Sequence, residues 1–367
     1  NGATNTELAT LAEAMEGAAA GYGLVSASYD EISFNLTSQD SDPRGIAFNA
    51  NGTKMFVGGY GSDNINEYAL TTAFNISTAS FTDAFSVASQ EAVMTSLAFS
   101  PDGTKMFITG NTGNSIYAYT LTTGFDVSTA SYTNSFSLAA QGTGPRSVTF
   151  NTTGTKMFVV TSSTDEVDEY ALSSAFNVTT ASFTRSFSVA SQDTNPQGLI
   201  FNADGTNMFI VGQTGQDVNK YALTTAFDIS TASFTDAFSV ASQDTSPKSI
   251  AFNSDGTKMY ITGEATSPAS VYQYSTASYT NQMDKTQLDA VTDPNHIALS
   301  NDFDLSIILN MTSGTTVPSS NGVAINYDAN ILNKGAVLGT DYDFDAPAQD
   351  KVRITALAGN NLKVRVV

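Results

Sequence analysis

Five stretches of this 367-residue chain are near-copies of one another: GIAFNANGTKMFV from Gly45, SLAFSPDGTKMFI from Ser96, SVTFNTTGTKMFV from Ser147, GLIFNADGTNMFI from Gly198 and SIAFNSDGTKMYI from Ser249. Their aromatic residues Phe48, Phe99, Phe150, Phe201 and Phe252 recur every 51 residues. A fixed period of this length marks a repeat architecture, in which one unit cannot bury its own apolar faces and must stack on its neighbours.

Each unit reads as four strands. A short apolar run ends at Phe48. A turn follows at Asn51-Gly52, Asp102-Gly103, Thr153-Gly154, Asp204-Gly205 or Asp255-Gly256, mostly residues that accept the positive φ of a tight hairpin. The second run, Lys54-Met55-Phe56-Val57, is apolar without alternation, which predicts a strand covered on both faces. A third ends at Tyr68, Tyr119, Tyr170 or Tyr221. The fourth alternates Phe81, Asp83, Phe85 and Val87 against Thr82, Ala84, Ser86 and Ala88, the period of a strand with one buried side, and closes on Gln90, Gln141, Gln192 or Gln243. Four strands per repeat of about 50 residues predict blades. The expected fold is all-β: a five-bladed β-propeller over residues 25–290, preferred to an open solenoid because polar end caps are missing.

The ends of the array raise the question of closure. Residues Ala27–Asp40 copy the fourth strand alone, with one extra residue, while the fifth unit loses its regular pattern after Tyr274. Tyr29–Gln39 is the preferred outer strand of the fifth blade, closing the ring; Tyr279–Met283 is the alternative. Residues 1–24 hold a short helix that starts at a capping box, Thr4-Asn5-Thr6-Glu7. Its stripe of Leu8, Leu11, Met15 and Ala18 suits packing on the propeller or a small bundle joining several chains. Residues 291–367 leave the repeat and alternate at Leu305, Ile307 and Leu309, at Val352, Ile354 and Ala356, and at Leu362, Val364 and Val366, which predicts a small β-sandwich.

Composition narrows the function classes. With 15 Lys+Arg against 35 Asp+Glu the net charge is −20, which repels nucleic acid. Zero cysteines exclude thiol catalysis and disulfides, and no apolar run is long enough to insert in a membrane. The start at Asn1 is compatible with processing. The sole histidine, His296, lies outside the repeats, and no GxSxG supplies a nucleophile for a Ser-His-Asp triad. Asp40 with Asp42, and Asp341 with Asp343, are candidate calcium ligands without EF-hand spacing; no other cofactor is expected. Tyr68 and its counterparts suit packing between blades better than sugar stacking. Loops that differ while their strands do not are the usual place for recognition. They make Tyr60, Asp63, Asn64, Asn111, Asn114, Asp165, Glu166, Gln213 and Asp217 the candidate ligand-binding residues.

Ser100-Pro101-Asp102-Gly103-Thr104-Lys105-Met106-Phe107-Ile108 resembles the blade motif of YVTN, TolB-like and lactonase-like propellers, a resemblance that covers the five units and implies a fold. Lactonase-like propellers hold a metal in the central channel through carboxylates and often histidine. Here Gly45, Ile46 and Ala47 and their equivalents bring no acid to the axis, so a catalytic metal is not expected. The junctions like Ser239–Thr245, and the run Asn333–Phe344 with the final strands, resemble repeat proteins of marine bacteriophages and virion structural proteins. That resemblance implies a non-enzymatic tail-fibre or surface subunit on a virion or extracellular surface. It would form a homo-oligomer, bind other virion or surface proteins and present its loops to host glycans. A cell-surface or matrix adhesin is the alternative, and a propeller hydrolase or lactonase the last of the three.

Overall fold

The computed structural model describes residues 19–279, apart from 26, 265–267 and 277, and beyond them only strands between 306 and 366. The chain divides into two units, Ala20–Ser278 and Asn1–Ala19 with Tyr279–Val367. In the second unit, Ser306–Asn310, Asn361–Val366, Val352–Ala358 and Asp341–Tyr342 form one antiparallel sheet in that order, and Thr315–Pro318 pairs with Ala324–Tyr327. The expected helix with Leu8, Leu11, Met15 and Ala18, residue His296, and Asp343 lie outside the described residues.

The first unit is a five-bladed propeller of four-stranded antiparallel sheets. In blade 1 the strands run from axis to rim as Pro43–Phe48, Lys54–Gly59, Asn64–Leu70 and Ala79–Ser86. The inner strands of blades 2 to 5 are Met94–Phe99, Pro145–Phe150, Pro196–Phe201 and Pro247–Phe252. The second strands are covered on both faces, as their unbroken apolar runs require: Met55, Phe56 and Val57 are fully buried, and so are Met157, Phe158 and Val159. Tyr68, Tyr119, Tyr170 and Tyr221 are buried too, and each ring meets the outer-strand aromatic of the preceding blade edge to face, as Phe85 meets Tyr119 and Phe34 meets Tyr68. They pack blades together.

Turn chemistry repeats as faithfully. Gly52, Gly103, Gly154, Gly205 and Gly256 all have φ near +70°, and a Cβ there would strike an aromatic ring at 2.2–2.3 Å. In four blades the ring is Phe74, Phe125, Phe176 or Phe227, each held at positive φ beside a capped 3-10 turn. In blade 5 it is Tyr22, from the N-terminal segment. The ring is closed there by Ser28–Asn35, which pairs with Ser270–Ser275 and supplies the fourth strand of blade 5. Its extra residue is absorbed in a bulge between Tyr29 and Ile32, where Glu31 takes φ +62°. Asp30 inside that bulge accepts from Lys258 Nζ at 2.6 Å, Gln273 Nε2 at 2.9 Å and Ser275 Oγ at 2.6 Å, fixing the register.

One swap between neighbouring strands shows how tightly the repeats are packed. Asp40, Glu91, Asp193 and Asp244 are buried where one blade leads to the next, and Gly59, Gly110, Gly212 and Gly263 face them with no room for a Cβ. Blade 3 reverses the arrangement: Gly142 replaces the acid and Thr161 replaces the glycine, with Thr161 Cγ2 only 2.7 Å from where a Gly142 Cβ would sit. Gly142→Asp alone should therefore lower stability by about 2 kcal/mol through overpacking. Adding Thr161→Gly should recover most of that loss, a coupling read from a double-mutant cycle in urea. The Thr161 hydroxyl instead faces Asp168 at 3.4 Å. Burial, and then the charge of Glu166, push the Asp168 carboxyl up to about 6. A raised acid binds its proton more tightly when folded, so it costs stability as pH rises from about 4 through 6. Asp168→Asn should raise unfolding free energy by about 2 kcal/mol at pH 8 and leave it nearly unchanged at pH 4.

Candidate active site at the polar end of the propeller axis

The inner strands crowd one another two residues into their length. A Cβ on Gly45 would lie 2.8 Å from the Leu97 amide, and one on Gly198 would lie 3.0 Å from Ser249 Cα. At the same level Ser96 Oγ accepts from Val148 N at 3.3 Å and Ser147 Oγ from Leu199 N at 3.1 Å. These hydroxyls satisfy the edge N–H groups that an innermost strand leaves unpaired. The two ends of the axis consequently differ. Where the inner strands finish, a cavity of about 380 Å3 is lined by Ile46, Phe48, Phe99, Phe150, Phe201 and their neighbours, and reaches Ser96, Ser147 and Ser249. No titratable side chain lines it, so it offers no acid–base chemistry.

Where the inner strands begin, three repeat positions converge. The residue after the proline or Met94 is Arg44, Thr95, Arg146, Gln197 or Lys248. Two residues earlier stand Asp42, Val93, Gly144, Asn195 and Ser246, and just after the second strands come Tyr60, Asn111, Ser162, Gln213 and Glu264. Side chains from blades 4, 5 and 1 are joined here. Lys248 Nζ lies 2.6 Å from Glu264 Oε1, Arg44 Nη2 lies 3.4 Å from Glu264 Oε2, and Arg44 Nη2 donates to Asp42 Oδ2 at 2.6 Å. Asp42 and Glu264 also hydrogen-bond to each other.

Electrostatics divide the labour within that carboxyl pair. Burial, followed by the hydrogen bond with Glu264, pushes Asp42 up to about 6 against the pull of Arg44. Burial also acts on Glu264, but hydrogen bonds from Asp42 and Lys248 and the charges of Arg44 and Lys248 bring it down to about 2. Arg146 is the exception among the cations. Its Nε donates to Ser162 Oγ at 3.2 Å, and no carboxylate pairs with it among the described residues. Burial, and then the charge of Arg44, lower its hold on the proton, although a guanidinium stays charged. Arg44, Arg146 and Lys248 thus set three cations beside the Asp42–Glu264 pair, inside a ring of hairpins and blade junctions that is itself acidic.

Of the residues expected to bind ligand, Gln213 belongs to this network, through Asn195 and Ser246. Tyr60, Asp63, Asn64, Asn111, Asn114, Asp165, Glu166 and Asp217 stand in or beside the hairpins ringing the same end, and none bonds to Arg44, Arg146 or Lys248 among the described residues. Asn114 accepts from Gly144 N, and Asp217 accepts from Asn219. Of the calcium candidates, Asp40 spends its oxygens on Asp42 N, Ser62 N and Ser62 Oγ, and Asp42 pairs with Arg44. Among the described residues no three metal-ligating side chains converge. The side chain of Asp341 is outside them.

Sequence reasoning missed Arg44, Arg146, Lys248 and Glu264. Searching Gly45-Ile46-Ala47 for acids began one residue too late, because the axial end is reached at the residue before, and the titratable groups sit there.

Residues 35–273 match the family described as Lactonase, 7-bladed beta-propeller. No curated protein matches the chain. Among solved structures it is similar to a putative 6-phosphogluconolactonase of Bacteroides uniformis, at 14% identity and TM-score 0.40, over 59% of this chain and 62% of that one. It is also similar to a putative 6-phosphogluconolactonase of Bacteroides fragilis, at 14% identity and TM-score 0.39, over 60% and 64%, and to a periplasmic gluconolactonase of Pseudomonas aeruginosa, at 14% identity and TM-score 0.36, over 53% of each chain. The matched part spans less than two thirds of each of those three proteins. The family match overturns the reading as a non-enzymatic phage tail-fibre subunit or adhesin on a virion or extracellular surface, since it points to an enzyme. The phage resemblance rested on junctions and terminal runs that carry no catalytic motif. The match covers well over half of the chain, and the protein belongs to the lactonase β-propeller family, with five blades in place of seven.

Proposed function

We propose that the protein hydrolyses a lactone bearing an anionic substituent, at the polar end of the axis. Family membership supports ester opening. The observation that carries the siting is Arg146: a half-buried guanidinium with no carboxylate partner among the described residues, at the end of the axis that also holds the Asp42–Glu264 pair. A second cation, Lys248, is buried and paired only to Glu264 among the described residues. Arg146 is suited to take the substrate anion or the oxyanion that forms on the carbonyl, where a fixed charge in a water-poor site acts most strongly.

The reaction divides among residues as follows. Asp42, raised toward neutrality, takes a proton from water as the water oxygen bonds to the lactone carbonyl carbon. The tetrahedral oxyanion faces the cations. It collapses by breaking the bond between that carbon and the ring oxygen, and the ring oxygen leaves with the proton held on Asp42. One water is consumed, and the product is the open-chain hydroxy acid, whose new carboxylate remains among positive charges until it departs. Titration of the released acid in a pH-stat should show faster opening of a carboxylated or phosphorylated lactone than of its neutral analogue. Arg146→Met should lower kcat/KM by about 100-fold. Hydrolysis no faster than in buffer for every lactone tried, or an unimpaired Arg146→Met, would defeat the assignment.

A further inference from the structure

Four uncharged side chains lead into the carboxyl pair from the neighbouring blade. Gln197 Nε2 donates to Asn195 Oδ1 at 2.6 Å, Asn195 Nδ2 donates to Gln213 Oε1 at 2.9 Å, Gln213 Nε2 donates to Ser246 Oγ, and Ser246 Oγ donates to Glu264 Oε1 at 3.4 Å. The direction of this chain follows from chemistry. An ionised carboxylate only accepts, so the Ser246 hydroxyl must give its hydrogen to Glu264 and can only accept from Gln213. The Gln213 carbonyl then accepts from Asn195, and the Asn195 carbonyl from Gln197. Every dipole points its positive end at Glu264, and hydrogen bonds aligned head to tail reinforce one another.

We propose that Gln197, Asn195, Gln213 and Ser246 form a positioning relay that keeps Glu264 charged and so reserves Asp42 as the group that accepts the proton. The assignment of a base rests on the lactone-opening reading; the relay itself is a property of the folded protein. The charged groups facing the pair are Arg44 and Lys248, both in contact, with Arg146 acting through Arg44. Those cations favour ionisation of both carboxyls. Lys248 at 2.6 Å and the last relay hydroxyl at 3.4 Å both meet Glu264 and not Asp42, so the relay adds to the asymmetry under which Glu264 goes down while Asp42 goes up. None of the four relay residues needs to touch substrate.

The test needs no substrate. Carboxyl 13C titration by NMR on the intact protein should show Asp42 titrating near 6, with Glu264 ionised throughout the accessible range. In Gln213→Met, which keeps the length and removes the amide, the Asp42 midpoint should fall by about half a pH unit or more, and the Glu264 signal should begin to titrate at the acid edge of the range. Ser246→Ala breaks the last link and should move both in the same directions, while Gln213→Asn should restore part of the separation. Unchanged midpoints in folded Gln213→Met and Ser246→Ala would overturn the relay. Midpoints that move as described in a protein that opens no lactone would instead overturn the catalytic reading and leave the relay standing.

Discussion

The close approach of five inner strands at Gly45, Ser96, Ser147, Gly198 and Ser249 is the constraint on which the remaining structure depends. A ring of this size brings those backbones within contact, so the residues there must be glycine or a small hydroxyl that can serve the next strand. The consequence is an axis with two separate ends. One is apolar and built from repeated phenylalanines; the other gathers charge. A wider ring would leave a through-channel in which those two chemistries mix, and the polar groups would be diluted by bulk water.

Closure of that ring is a second dependency. Blade 5 is completed by a strand from the other end of the domain, and Tyr22 fills the place that Phe74, Phe125, Phe176 and Phe227 occupy elsewhere. The Tyr22 carbonyl accepts from Lys220 Nζ at 3.0 Å, just as the Phe125 carbonyl accepts from Lys54 and the Phe227 carbonyl from Lys156. The carboxyl pair sits across the seam so formed, since Asp42 leads into blade 1 and Glu264 ends the second strand of blade 5. The chemistry is therefore assembled only when first and last blades meet, and its geometry inherits the rigidity of Asp30 and its three donors.

The fold was legible because the determinants of a blade are local and repeated. Turn glycines and doubly covered second strands announce themselves in every copy, while the capped 3-10 turns of four blades and the bulge that takes up the extra residue near Tyr29 were not read from the sequence. The site was legible only in part. Its signal is disagreement among copies: Arg44, Thr95, Arg146, Gln197 and Lys248 differ at one register where flanking residues agree, and Tyr60, Asn111, Ser162, Gln213 and Glu264 differ at another. Variation of the hairpins drew attention to Tyr60, Asn111 and Gln213. The register beginning at Arg44 is harder to see because it opens a strand that otherwise repeats from blade to blade, and Glu264 because an insertion follows it. Which of these columns face each other cannot be read from spacing along the chain, since Arg44 and Glu264 meet only through ring closure.

A crystal structure with the open-chain hydroxy acid of an anionic lactone tests the central claim most directly. The account predicts the product at the end where the inner strands begin, its anionic groups against Arg146 and Lys248 and its hydroxyl near Asp42. Product bound instead in the phenylalanine-lined cavity at the opposite end, or among the hairpins with Arg146 untouched, would contradict it.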